Sequence, residues 1–184
     1  MMWYDHITDD AKAAYLLTLS EKMMHQIERY DWYGLARQAL DMCWEWVEAK
    51  KHHADDLYLR IDNEVDGLGH IKGVAFTDDQ PDPQEKAIWF CITQAVFYVT
   101  WQAYKYEGEE AVPQAVEMVD DEVIDWFMEK IAEVEGYREE WAGPLTQYLL
   151  KHYSHGSDKK IRREALLKLI TSNDSSLSLH PGRV

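Results

Sequence analysis

A chain of 184 residues with 46% apolar composition can bury a core of its own, while 34 Asp plus Glu against 19 Lys plus Arg leave a net charge of −15. Eight tryptophans and eleven tyrosines exclude a disordered acidic tail, because such tails lack aromatics. The negative field repels nucleic acid and anionic membrane and draws basic partners, so protein binding is the first expectation.

No apolar run reaches the roughly 18 to 20 residues of a membrane span. The N-terminus, Met1-Met2-Trp3-Tyr4-Asp5-His6, has no basic region followed by an apolar stretch, which predicts a cytoplasmic protein. Cys43 and Cys91 fall inside apolar helical patterns and are expected as reduced core thiols.

Helical periodicity runs through the chain, and no stretch alternates apolar and polar as a half-buried strand does; the expected class is all-α. The first helix is predicted over Asp9 to Arg29, with Thr8 as N-cap and Asp9 and Asp10 at the positive end of the dipole. Asp31 is expected to cap a second helix to Lys51, and a short third runs from Ala54 to Glu64. Residues 66 to 82 read as a long irregular segment. Asp82-Pro83-Gln84-Glu85 then supplies an N-cap, a proline at the first helical position and a glutamate at the third. That helix should reach Glu107 with Gly108 as C-cap, and its apolar circumference makes it the candidate central helix of a bundle of six to seven.

Pro113 opens a fifth helix to Gly136. Tyr137 to His152 is helical but should break or kink at Gly143-Pro144. Ser157-Asp158 is expected to cap the last helix, and after Asn173 periodicity ceases. The predicted organisation is one domain over 1–173 with a loosely held tail, 174–184. The segment Ser157 to Val184 carries +3 and the rest −18, so the last helix should dock by charge on the acidic body or on a second copy.

Phosphate-binding glycine loops, a Gly-x-Ser-x-Gly elbow, His-Glu-x-x-His and calcium-loop patterns are absent, so no cofactor is expected. His52, His53, Asp55 and Asp56, joined by His25, His70, His152 and His155, would be the material for a metal site, but the three-or-four spacing of helical ligands is missing. Two acidic groups stand out. Asp120, Asp121, Glu122, Asp125 and Glu129 read as a solvated outer helix face. Asp55, Asp56, Asp62, Glu64 and Asp66, followed by Asp78 and Asp79, straddle a helix and a loop and form the expected recognition surface. Trp44, Trp89 and Trp101 are predicted core; Trp32, Trp46, Trp126 and Trp141 are predicted at helix edges, with Trp46 and Trp126 the expected contact anchors.

With Leu40-Asp-Met-Cys-Trp-Glu-Trp46, the apolar helix Ala87 to Trp101, and Ala115-Val-Glu-Met-Val-Asp-Asp-Glu-Val-Ile124, the chain resembles an all-α family of immunity proteins from bacterial polymorphic toxin systems over residues 7 to 135. The resemblance implies a cytoplasmic protein, made beside a toxin, that binds the toxin domain and blocks it. The leading expectation is stoichiometric inhibition without chemistry of its own, by a monomer or weak homodimer. Its partner would be basic. The rival readings are a helical-bundle metalloenzyme and a homo-oligomeric structural or regulatory protein.

Overall fold

The computed structural model describes residues 1–75 and 82–177. Among them are nine α-helices and no strand: α1 (Asp9–Met23), α2 (Tyr33–Ala49), α3 (Ala54–Tyr58), α4 (Leu68–Ala75), α5 (Pro83–Glu107), α6 (Gln114–Glu117), α7 (Glu122–Ile131), α8 (Glu139–His152) and α9 (Arg163–Leu177). The class is all-α, as the periodicity predicts.

Two helices form the centre. In α1 every residue from Ala11 to Ser20 is buried, including Lys12, and a helix covered on all sides is a core helix. Thr8 caps it, its Oγ1 accepting from the Ala11 N–H at 3.3 Å. α5 lies beside α1 and carries α2, α3 and α7, while α8 and α9 pack on α1 and on each other. Asp82 Oδ1 accepts from the Gln84 N–H at 2.9 Å, Pro83 opens the first turn, and Gly108 ends α5 at φ 71°, the left-handed conformation that suits glycine. The sequence points to α5 as the centre; α1 shares that role.

Several predicted boundaries move. The first helix stops at Met23 and tightens into a 3₁₀ turn, Met24–Ile27. The cap position of α2 is Trp32 rather than Asp31, and no side chain caps that end. The helix Ala54 to Glu64 closes at Tyr58, and the segment expected to be irregular contains α4. Tertiary clamping makes α4: the Leu68 and Gly69 N–H groups donate to the carbonyls of Arg60 and Ile61 at 2.9 and 2.8 Å, and Trp89 Nε1 donates to the Leu68 carbonyl at 2.9 Å. Gly67 sits so tightly in this turn that a Cβ there would lie 2.4 Å from the Asn63 nitrogen.

The single fifth helix is two. Asp120 Oδ1 accepts from the Glu122 N–H at 2.9 Å, a side-chain turn that leads into α7, whose cap position is Asp121. α8 runs through Pro144 without a break. The proline falls early in the helix, where the carbonyl it obstructs belongs to exposed Glu140, and buried Trp141, Leu145 and Leu149 hold the segment down. α9 starts at Arg163 rather than near Ser157-Asp158, because its end is capped from another helix: the Arg163 N–H donates to Glu48 Oε1 at 2.8 Å. It continues past Asn173 to Leu177. The N-terminus is pinned to the far end of α8 by the Thr8 N–H donating to the Tyr153 carbonyl at 2.9 Å and a bridge between Ile7 and Ser154.

Charge docks α9. Arg163 donates to Glu21 and to Asp41 Oδ1 at 2.8 Å, Arg37 donates to Glu21 Oε2 at 2.7 Å, and Trp44 Nε1 donates to the same Glu21 at 3.1 Å. Cys43 and Cys91 are buried free thiols, and burial pushes both well above the usual thiol range.

Candidate partner-binding surface

The predicted recognition surface gathers around α3 and the turn before α4, but most of its carboxylates are held from within. Asp55 accepts from the Tyr104 hydroxyl, a tie that joins α3 to α5. Asp56 Oδ2 accepts from the His53 N–H at 3.0 Å and closes the end of α3. Asp62 accepts from the Tyr58 hydroxyl at 2.7 Å; that bond first, and burial second, push the Tyr58 hydroxyl up to about 12. Asp66 lies 3.8 Å from Arg60, and its Oδ1 is buried without a hydrogen-bond partner. Of the group's described members only Glu64, beside Val65 at 85% exposure, points freely outward at the tip of this turn. Asp78 and Asp79 lie outside the described residues.

The tryptophans expected at helix edges divide. Trp32, Trp46 and Trp141 are buried, Trp46 to 2% exposure, so Trp46 offers a partner no ring face. Charged side chains partner these rings, from the same sequence neighbourhood for Trp46 and from other helices for Trp32 and Trp141. Lys50, in the left-handed conformation at φ 52°, places Nζ 3.8 Å from the Trp46 ring while reaching Asp10. Lys22 lies 4.6 Å over Trp141, and Trp32 Nε1 donates to Glu85 Oε1 at 2.8 Å. Trp44 and Trp89 are core and Trp101 is half-buried beneath Lys105. Trp126 alone of the eight is exposed, at 50%.

The outer face of α7 belongs to a longer acidic stretch. From Tyr106 to Glu129 the chain holds nine carboxylates and no Lys, Arg or His. The face is not uniformly solvated. Asp121 accepts from Lys12 Nζ at 2.6 Å and from the Tyr98 hydroxyl at 2.7 Å, and Asp125 accepts from the Tyr4 hydroxyl at 2.8 Å. These bonds fasten the start of α7 to α1, to α5 and to the N-terminal turn. Burial first, then the bonded carboxylates, push the Tyr4 and Tyr98 hydroxyls far above their usual range. Glu122, Trp126 and Glu129 remain as an exposed line, spaced four and three residues apart on one helix face, with Met118 exposed at 78% just before it.

Seven of the described cations make close ion pairs within the chain. Lys12, Arg29, Arg37, Lys50, Lys105, Lys130 and Arg163 all stand within 3.4 Å of a carboxylate of the same chain. The α6–α7 side, whose stretch from Tyr106 to Glu129 holds no cation of its own, is predominantly negative.

The histidines do not converge. His52 Nε2 meets Glu45 at 2.7 Å, His155 Nε2 meets the Asp5 carbonyl at 2.6 Å and His25 Nδ1 meets the Lys22 carbonyl at 3.0 Å. Among the described residues no three His, Cys, Asp or Glu side chains come together to hold a metal ion. Nor is any described helix long and apolar enough to cross a membrane.

A family model described as Immunity protein Imm6 matches residues 11–134. The chain belongs to the Imm6 immunity protein family. No curated protein and no solved structure matches it. The Imm6 match spans α1 through α7, so the two central helices, the α3 turn and the exposed line on α7 all fall inside it, and α8 and α9 follow it.

Proposed function

We propose that this Imm6 protein binds a cognate bacterial toxin domain in the cytoplasm and neutralises it stoichiometrically, with no chemistry of its own. The family match carries the toxin-neutralising role. The charge arrangement supports the manner of capture: a net charge of −15, with no cation from Tyr106 to Glu129, favours a basic partner and opposes nucleic acid and anionic lipid. The carboxylates of the α3 turn, Asp55, Asp56, Asp62, Glu64 and Asp66, add to that field, which steers encounter, while apolar contacts set the lifetime of the complex. Two buried free thiols suit a reducing compartment.

Co-expression tests the reading. The toxin domain encoded beside this chain, expressed alone in bacteria, should arrest growth, and this chain should relieve the arrest. Arrest that persists at full expression of this chain would refute the proposal.

A further inference from the structure

Seven of the eight tryptophans have a partner inside the fold. Trp3 meets Tyr15 edge to face with centroids 4.7 Å apart, and Trp101 meets Tyr98 in the same way at 5.5 Å. Trp32, Trp44 and Trp89 donate their indole N–H to Glu85, Glu21 and the Leu68 carbonyl, and Trp46 and Trp141 lie under lysines. Trp126 has no hydrogen bond, ring contact or cation partner among the described residues, and it is the one that is half exposed. An indole left with a free N–H and an open face, on a chain that gives each of its other indoles a partner, is a contact surface without its contact.

Its surroundings select the occupant. Glu122 stands one turn before Trp126 and Glu129 one turn after, both exposed and neither ion-paired among the described residues. The inner face of the same helix, Val123, Ile124, Phe127 and Ile131, is fully committed to the core, so the outer line is fixed in place on a rigid element. A guanidinium or ammonium group can lie on the open indole face while pairing with one of the flanking carboxylates, and a planar guanidinium fits both tasks. Lys50 already demonstrates this pairing within the chain, sitting on Trp46 while bound to Asp10.

We infer that the outer face of α7, Glu122, Trp126 and Glu129 with Met118 beside it, is the docking surface for an arginine- or lysine-bearing face of the toxin domain. This rests on the toxin-binding reading above and adds where the contact lies and which side chains meet it. A second copy of the chain is a poor occupant, since two bodies of net charge −15 repel.

The probe is the toxin domain encoded beside this chain, titrated with the full chain and its variants by calorimetry and by stopped-flow association at two salt concentrations. Trp126→Ala should weaken the complex about 30-fold, in the dissociation rate. Glu122→Lys combined with Glu129→Lys should slow association and flatten its salt dependence, whereas Asp158→Lys combined with Glu28→Lys, an equal change of charge at exposed positions elsewhere, should act far less. Should Trp126→Ala fold poorly by circular dichroism, the charge pair alone decides. Binding of both α7 variants within about twofold of the parent would overturn the assignment to α7 and leave the immunity reading standing. Absence of any complex with the parent chain would overturn both.

Discussion

Asp82 shows how much a single side chain contributes here. Its Oδ1 caps α5 while its Oδ2 accepts from the Tyr30 hydroxyl at 2.9 Å and from Arg29 at 3.1 Å. The Gln84 N–H first, then the Tyr30 hydroxyl, hold its carboxyl below the ordinary value of 3.8. Asp82→Ala should cost about 1 kcal/mol in urea denaturation at pH 7. A lowered folded-state pKa means that this contribution is present above the unfolded value and fades as pH falls through it, so the gap between parent and variant should narrow below pH 3.8. The cap was legible because aspartate, proline and glutamate stand at the positions a helix start demands. The burial of Trp46 was not: charged neighbours in sequence read as solvent, whereas Lys50 folds back over the ring, a fact of backbone conformation at φ 52° that no local pattern announces. The same holds for Asp55 and Asp62, which read as free carboxylates and serve as acceptors for Tyr104 and Tyr58.

α5 and the capped start of α1, where the internal signals are strong, follow the sequence closely, and the helices that depend on distant contacts do not. α4 exists because carbonyls of Arg60 and Ile61 and the Trp89 indole bind its first residues, none of which is visible in a glycine-rich window. The start of α7 at Glu122 was within reach of the sequence, since a pair of aspartates before an apolar run is a cap signal; the continuous apolar stripe concealed it. α9 depends on the network around Glu21, whose side chain is only 9% exposed. Arg163→Ala would leave that carboxylate with Arg37 and Trp44 alone and should destabilise the fold by about 2 kcal/mol. Hydrogen exchange should then show α9 amides released ahead of those of α1 and α5; equal rates across the three helices would contradict the proposed dependence.

Across the whole molecule, tyrosine hydroxyls knit the helices together through carboxylates: Tyr4 to Asp125, Tyr98 to Asp121 and Tyr104 to Asp55. Burial first, then these partners, raise all three above the ordinary value of 10.0. Unfolded tyrosines release their protons near that value while the folded ones keep theirs, so this stability is complete below pH 10.0 and is lost as pH climbs beyond it. The urea midpoint should stay level from neutral pH to about 9 and fall steeply above about 10, with Tyr98→Phe reducing the fall. The all-α class and the acidic character were legible from composition and period, while the location of the exposed acidic line required the fold, because only packing reveals which carboxylates are already engaged. Stoichiometric neutralisation is the central claim, and titration of the neighbouring toxin domain's activity with this chain tests it most directly. Activity should decline linearly to zero at one equivalent. Full toxin activity at several equivalents, or loss of activity at a small fraction of one equivalent, would contradict it.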